Sequence, residues 1–467
     1  MYYRLASSYA LRGWQNATGM LVKKPGNEAT PLKPAELSLL VLCDGETPFD
    51  VEGLQKTERD ALQAFIRKGI VSAHNEPLPL RDRQRYCYFD NRFIQSVMWS
   101  VTGACNARCR HCFVDGPCET ENGLSTENAR TLIDQMAQCG VMQVELTGGE
   151  PLLRPDFWQL VDRLCEKDIY LSQIYTNGFF VDEAFLLELE KRHVQPRLCF
   201  SFDGVDGWHD WMRGVEGAEE KTLKAMKLCI EKGFQVYAGM CLHKGNAAVL
   251  PDTVKRLAAL GVKGLNISGI TMSPLWQKNH EGNNLDDREY LEAVMAYFPA
   301  YFRDGRPMPV TLNGAALLHP QDECHVVHAA VCKPAAKSRY LCSTARFSPY
   351  ISANGRLLPC MPMAMCEEQR HFPLILENGL AACLGNSTFM DFVSLRTEDL
   401  FARNETCGSC EHRYTCGGGC RAMALQDTHD FFGCDAQQCI IWKEKYKEKL
   451  ECALEEAKKN AACGGKQ

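Results

Sequence analysis

The sequence predicts an α/β protein whose core is a run of parallel strands joined by helical crossovers. Between residue 96 and about residue 303, six strand-then-helix units follow one another. Such alternation makes the strands parallel, because each return crossover needs a helix's length of chain. Gly140, Gly233 and Gly261 stand just past expected helix ends, where a left-handed cap suits glycine, and Pro251 falls in a first helical turn, which tolerates proline. A length of 467 residues with 45% hydrophobic content allows two to four domains with large cores.

Before the alternating region, the sequence reads as an extended stretch over 18–24, a polar turn and a helix over 34–43. Two further short helices are expected, the last over 57–68, with Thr57 as N-cap, Gly69 as stop and Leu62, Phe65 and Ile66 as the buried face. A β pair and three helices ending in Gly69-Ile70-Val71 resemble the winged-helix peptide-recognition domain of maturases of ribosomally made peptides. Winged helices also bind DNA, but Lys and Arg between Met20 and Asp90 are roughly matched by Asp and Glu, so the basic footprint of a DNA reader is missing. The resemblance implies that a leader peptide docks as an added strand on the exposed edge of the β-wing. A small structural cap on the core is the plainer alternative.

The strand at 96–102 is β-branched and aromatic and leads into Cys105-Asn106-Ala107-Arg108-Cys109-Arg110-His111-Cys112. Ser125-Thr126-Glu127 then opens the first helix, over 126–138. The cysteine loop therefore sits at the carboxyl end of a strand, where cofactors and substrates gather in strand–helix folds. Three thiolates are one short of a structural zinc site. A cubane 4Fe–4S cluster on three cysteines instead keeps one iron open to chelate a small molecule. Zinc, a disulfide and simple packing compete with that reading; without a secretory signal, a reducing compartment disfavours the disulfide.

The next strand, 143–147, runs into Gly148-Gly149-Glu150-Pro151, whose glycines let backbone approach a ligand and whose Glu150 offers a carboxylate. The strands at 170–175 and 198–201 end in Thr176-Asn177-Gly178 and Phe202-Asp203-Gly204, and another follows at 264–268. Asn-Gly and Asp-Gly are also ordinary turn formers. The later helices are expected over 156–167, 182–192, 218–232, 249–260 and 286–301. The C-x3-C-x2-C spacing followed by Phe113, and by G-G-E-P one strand–helix–strand unit later, resembles the radical S-adenosylmethionine (SAM) enzymes. That resemblance implies a partial (β/α)6 TIM-type barrel, open at one side, with a SAM-chelating 4Fe–4S cluster on Cys105, Cys109 and Cys112. It further implies SAM contacts from Gly148, Gly149 and Glu150 at the methionine amino group, from Ser201 and Asp203 at the ribose, from Arg213 at the carboxylate, from Asn177, and from Ser268 near the adenine.

A second set of cysteines comprises Cys342, Cys360 after a hairpin-like Ser352-Ala353-Asn354-Gly355 turn, Cys407, Cys410, Cys416, Cys420, Cys434 and Cys439. By spacing alone, C-x2-C with C-x3-C also suits a zinc ribbon. The ordered set resembles the SPASM extension of radical SAM enzymes and implies two auxiliary 4Fe–4S clusters. Cys342, Cys360 and Cys420 would hold the first, whose fourth ligand is unassigned: Ser343 and Ser348 lie between, Cys324, Cys332 and Cys366 are substitutes, or the site is open to substrate. Cys407, Cys410, Cys416 and Cys439 would hold the second, with Cys434 as the alternative to Cys439. Cys43, Cys139, Cys165, Cys199 and Cys229 read as core fillers. A charged helix over 442–459 is expected to pack on the cluster region, followed by a disordered tail through Gly464-Gly465.

The expected boundaries are 1–92 for the peptide-recognition domain and linker, 93–305 for the barrel, 306–341 for a bridge, 342–445 for the SPASM domain and 446–467 for the last helix and tail. No apolar run approaches the ~20 residues that span a bilayer, and the net charge is −6, so membrane and nucleic-acid partners are disfavoured. Twenty-five cysteines without a secretory signal point to the cytoplasm. The resemblance implies reductive cleavage of SAM to a 5′-deoxyadenosyl radical and oxidative modification of a precursor peptide, by thioether or carbon–carbon crosslinking. Electrons would come from an external low-potential donor such as flavodoxin or ferredoxin. Two alternatives remain: a formylglycine-forming sulfatase maturase, disfavoured by Met361 where that family has an Asp, and a non-catalytic zinc or iron–sulfur regulatory protein.

Overall fold

The chain opens with β1 (Tyr2–Leu5), β2 (Tyr9–Trp14), β3 (Ala17–Lys23) and β4 (Glu28–Pro31), followed by α1 (Pro34–Leu42), β5 (Asp44–Pro48), α2 (Lys56–Arg67), β6 (Val71–His74) and β7 (Cys87–Phe89). These make two small sheets, β5-β1-β6 and β4-β3-β2-β7. The computed structural model describes residues 1–112, 122–321, 323–327 and 338–464. Phe113 and Cys332 lie outside the described residues.

Two helices, not three, occupy this first unit. Where another helix was expected, Asp44-Gly45-Glu46-Thr47-Pro48 forms strand β5: Gly45 is left-handed at φ +74°, and the Asp44 carboxylate accepts from Glu46 N at 2.7 Å and Thr47 N at 2.8 Å. That local Asx bonding and Pro48 favour extended chain over a helix start. Helix α2 is capped at Gln55 rather than Thr57, because the Glu58 side chain reaches back to Gln55 N at 2.9 Å. Leu62 and Phe65 are buried as expected, whereas Ile66 points outward and is 39% exposed.

From here the alternation predicts the structure closely. The central elements are β8 (Ser96–Ser100), α3 (Thr126–Gln138), β9 (Gln143–Thr147), α4 (Phe157–Glu166), β10 (Tyr170–Thr176), α5 (Glu183–Lys191), β11 (Arg197–Ser201), α6 (Trp208–Arg213) and α7 (Ala218–Glu231). They continue through β12 (Val236–Leu242), α8 (Lys244–Ala247), α9 (Leu250–Leu260), β13 (Leu265–Gly269), α10 (Pro274–Asn279) and α11 (Asp287–Arg303). Strands β8 to β13 pair in parallel in sequence order, as do β13 and β14 (Val310–Leu312). The sheet thus continues beyond residue 305, through antiparallel β15 (Ala316–Leu318) and β16 (His325–Val326). At its other edge, β17 (Tyr350–Ile351) pairs in parallel with β8 and turns back into β18 (Leu357–Leu358). The turn closes with Gly355 N donating to Ser352 O at 2.9 Å. The hairpin that leads into Cys360 is therefore stitched onto the edge of the barrel sheet, and among the described residues the sheet's end strands, β16 and β18, do not pair with each other.

Helix α3 shows why these elements form. Ala129, Leu132, Ile133 and Met136 recur at helical spacing and are all buried against the sheet, and the Ser125 hydroxyl accepts from Asn128 N at 3.2 Å. Ser125→Ala is expected to cost about 1 kcal/mol, measured as a lowered denaturant midpoint at unchanged slope. Gly140, Gly233 and Gly261 are left-handed, as their positions predict.

The first unit docks at the amino ends of the barrel strands. Trp14 Nε1 donates to Cys139 O at 3.1 Å, Asn27 Nδ2 donates to Met142 O at 2.7 Å and Asp168 O at 2.8 Å, and Lys24 pairs with Asp168. Cys43, Cys139 and Cys229 are core residues as expected; Cys199 is half-buried and Cys165 exposed. The terminal helix differs from expectation. A helix over Ala436–Lys443 ends before left-handed Lys445, and a new one runs from Tyr446 to Gly464, so Gly464 is helical. It buries Leu450, Leu454 and Ala457, and it packs on α11 and β16 as well as on the Ala436–Lys443 helix.

Candidate active site

The cysteine loop leaves β8 at the carboxyl end of the sheet and is fastened by backbone bonds. Arg108 N and Arg110 N donate to Arg213 O and Met212 O, each at 2.9 Å. Arg110 also lies 4.4 Å over the Trp211 ring and pairs with Glu281 at 2.7 Å. The G-G-E segment is laced to the same loop, with Gly149 N donating to Thr102 O at 2.7 Å and Glu150 N to Ala104 O at 2.8 Å. A Cβ on Gly148 would stand 2.3 Å from Thr102 O, and one on Gly149 2.4 Å from Ala104 O. The two glycines thus let one backbone approach another, which holds the cysteine loop against β9.

Cys105, Cys109 and Cys112 face a cavity of about 450 Å³. Gly148, Gly149, Asn177, Ser201, Arg213 and Ser268 line it, so most of the positions expected to meet SAM converge here. Glu150 and Asp203 do not line it. Glu150 is fully buried, and its carboxylate accepts from Asn177 N at 2.8 Å, Thr176 Oγ1 at 2.9 Å and Leu152 N at 3.2 Å. Burial pushes its pKa up to about 7 against the pull of those three bonds. Asp203, also fully buried, is bound to Arg213 Nη2 at 2.5 Å and accepts from Cys241 N at 3.0 Å. Burial opposes the charge on Asp203, but the Arg213 guanidinium prevails and holds the carboxyl well below the usual range. Arg213 Nη1 in turn reaches Cys109 Sγ at 3.5 Å. Asn177 Nδ2 donates to Asn106 Oδ1 at 2.6 Å and so braces the cysteine loop from β10.

Sequence reasoning missed several residues of this cavity. His111, buried so that its pKa falls to about 4, and Cys241 both line it. Gly239 and Cys241 alternate on β12 and face inward, a period-two signal that was present in the sequence. Met361, Pro362 and Met365, just after Cys360, form another part of the wall. The cavity is the size of small-ligand sites. The three thiols that the loop brings to this cavity are a donor set that fits a 4Fe–4S cluster with one open iron.

The second cysteine set also comes together. Cys407, Cys410, Cys416 and Cys439 line one small pocket, and Cys434 Sγ lies 3.7 Å from Cys407 Sγ, so both candidates for the last ligand sit at this site. Burial pushes the Cys407 thiol up to about 12 and the Cys416 thiol up to about 11, so without a metal both stay protonated near neutrality. Burial likewise raises the Cys360 thiol, with Cys420 and Cys342 adding to the effect ahead of Cys366. Cys324 is placed elsewhere, accepting from His319 N at 3.3 Å beside β15, and the Ser348 hydroxyl is bonded to Ser96 at 2.8 Å.

Residues 99–248 match the radical SAM superfamily model. The PqqA peptide cyclase of Granulibacter bethesdensis is 28% identical over 72% of this chain and 84% of its own length. Among solved structures, Streptococcus suis SuiB bound to precursor peptide SuiA superposes with a TM-score of 0.58 at 15% identity, covering 94% of this chain and 99% of that one. Native anSMEcpe with bound AdoMet and Cp18Cys peptide gives a TM-score of 0.56 at 16% identity, covering 78% of this chain and 99% of that one.

Proposed function

We infer that this chain, whose residues 99–248 are a radical SAM domain, oxidatively modifies a precursor peptide, by thioether or carbon–carbon crosslinking. One observation carries the reading. The three thiols of the first loop and the segment immediately after Cys360 wall a single cavity, which supports a substrate held beside the radical-generating cluster with an auxiliary cluster nearby as electron acceptor. Cys105, Cys109 and Cys112 would hold the first cluster, and Gly148, Gly149, Glu150, Asn177, Ser201, Asp203, Arg213 and Ser268 would surround SAM, with Glu150 and Asp203 acting from behind the wall. Cys342, Cys360 and Cys420 would hold the first auxiliary cluster; Cys407, Cys410, Cys416 and Cys439, or Cys434 in its place, the second. When bound, these groups supply a 5′-deoxyadenosyl radical and a one-electron acceptor; the chain supplies position and exclusion of water.

The relatives support a peptide substrate, since one is called a peptide cyclase and two neighbours carry bound peptides. The first unit offers the open strand edges β4 and β7, with Val41, Leu42, Leu78, Tyr86 and Tyr88 exposed. It sits at the amino ends of strands five to seven residues long, so a leader docked there is roughly 20 Å from the cavity. About six extended residues span that distance. A sulfatase-maturase activity fits less well, because Met361 lines the cavity where that chemistry places a carboxylate base. A cytoplasmic setting with a flavodoxin- or ferredoxin-type donor completes the reading; among the described residues no helix is long and apolar enough to cross a membrane.

The test is anaerobic. Reconstituted protein with SAM and a reductant is incubated with synthetic peptides from short Cys-rich or aromatic-rich reading frames adjacent to its coding sequence. Deoxyadenosine formation together with loss of two hydrogens from one peptide is the expected result. Deoxyadenosine without any peptide mass change overturns the maturase reading, and colourless protein with stoichiometric zinc removes the radical reading altogether.

A further inference from the structure

Inside the barrel is a carboxylate for which neither the fold nor the cofactor site has a use. Glu145 lies on β9 two residues before Thr147, so both side chains share the sheet's inner face, Glu145 one layer further from the cysteine loop. Its Oε2 accepts from the Tyr175 hydroxyl at 3.2 Å. Tyr175 lines the 450 Å³ cavity and also a second chamber of about 420 Å³; Ser201, Gly239 and Asn266 are shared by the two, which therefore adjoin. A closed eight-stranded barrel fills this volume with branched apolar side chains. Here Gln173, Tyr175, Arg197, Tyr237, Asn266 and Thr311 share the wall with apolar residues.

The groups facing Glu145 are Met98 on β8, Gln173 and Tyr175 on β10, and Cys199 and Arg197 on β11. Burial holds the Glu145 carboxyl above its ordinary range, while bonds from Tyr175 and Gln173 and the charge of Arg197 pull it back. Burial and the Glu145 charge keep the Tyr175 phenol protonated. A proton reaching Tyr175 from the cavity therefore has an acceptor directly behind it, whose carboxyl burial makes a better proton acceptor than an exposed glutamate.

We propose that Glu145, acting through Tyr175, accepts the proton released when the peptide is oxidised. The proposal rests on the maturase reading. In that reaction the peptide gives one hydrogen atom to the 5′-deoxyadenosyl radical, forming 5′-deoxyadenosine. The new bond then forms as one electron passes to an auxiliary iron–sulfur cluster and one proton, from the attacking S–H or C–H, passes to Tyr175 Oη. Tyr175 hands its own proton to Glu145, and the Tyr175 and Gln173 side chains bonded to that carboxylate line the second chamber, through which the proton leaves. The peptide loses two hydrogens in all, as one atom, one electron and one proton.

Two readouts test this on the full reconstituted chain. The first is the ratio of modified peptide to deoxyadenosine across pH, using a peptide that the wild type modifies. The wild-type ratio is expected to rise with pH as Glu145 loses its proton. Glu145→Gln is expected to lower it by at least about 100-fold and flatten its pH dependence, with deoxyadenosine formation retained; Glu145→Asp is expected to restore the slope. A Gln variant with a wild-type ratio overturns the proposal. The second readout needs no peptide: infrared difference spectra of SAM-loaded protein are expected to show a protonated carboxyl band that persists above the ordinary glutamate range, is absent in Glu145→Gln, and shifts to higher pH in Tyr175→Phe. A band that titrates as an exposed glutamate overturns the role of Glu145 alone, whereas a wild type that modifies no peptide overturns the maturase reading first.

Discussion

Alanine at any one of Cys105, Cys109 or Cys112 is expected to abolish 5′-deoxyadenosine formation while leaving the fold intact. Removing one of three thiolates leaves a cubane with two protein ligands, and the loss should appear as about four fewer irons per chain. The fold should survive because the loop is held by other groups. Arg108 N and Arg110 N bond to the backbone of α6, Asn106 is bonded to Asn177, and Arg110 is fixed by Trp211 and Glu281. The three thiols are only half-buried, so truncating them leaves no large cavity in the core. Alanine at Cys407, Cys410 or Cys416 is expected to lower the iron count as well, but to spare deoxyadenosine formation and stop peptide modification. Iron analysis, circular dichroism and chromatography of deoxyadenosine separate the two classes of variant. If Cys105→Ala still makes deoxyadenosine at the wild-type rate, the assignment of the radical cluster to this loop is wrong.

The parts of this molecule that were legible in sequence are those whose signals are local. The first barrel helix was expected over 126–138 and runs from Thr126 to Gln138, because a 3.6-residue apolar period and a serine cap fix it without help from the rest of the chain. The cysteine spacing likewise reported on one loop. What sequence did not reveal depends on distant partners. Ile66 belongs to the apolar stripe of its helix yet faces outward, since the first unit's core is small and already closed by Leu62 and Phe65. The strand at Asp44–Pro48 exists because β1 is there to pair with it. Cys241 and His111 are single polar residues at inward-facing or loop positions, and only the assembled barrel shows that they line one hollow, with Glu145 behind its Tyr175 wall. Gly148 and Gly149 were legible as glycines, but the contact they permit, with the backbone of Thr102 and Ala104, is a tertiary one.

Arg213→Met is expected to be among the most destabilising single changes in the barrel. Asp203 is fully buried, and Arg213 is the cation that compensates it, at 2.5 Å. The other groups near the carboxylate do not replace that charge: Cys241 N is a neutral donor at 3.0 Å, and burial keeps His209, whose Nδ1 accepts from Asp203 N, neutral. Breaking such a pair from one side costs about 3–5 kcal/mol, because a buried charge is left unpaired, whereas replacing both sides is far cheaper. Arg213→Met/Asp203→Asn should therefore recover most of the loss, giving a coupling energy of at least about 2 kcal/mol in a double-mutant cycle. The pH dependence has a definite sign. In the wild type, the folded Asp203 pKa lies below its unfolded value of about 3.9, so the stabilisation is fully present above that pH and is lost as pH falls through the folded pKa. In Arg213→Met, burial acts alone and raises the folded pKa, so the variant is favoured by protonation and its deficit against wild type shrinks as pH falls. Denaturant unfolding of the three variants between acid and neutral pH measures this, and a deficit that stays constant with pH would show that Asp203 is not the charge Arg213 compensates. Because the variant also removes the Nη1 that reaches Cys109 while keeping the carbonyl that receives Arg108 N, it is expected to loosen the thiol end of the cysteine loop and slow deoxyadenosine formation, linking the stability of this pair to the geometry of the radical site.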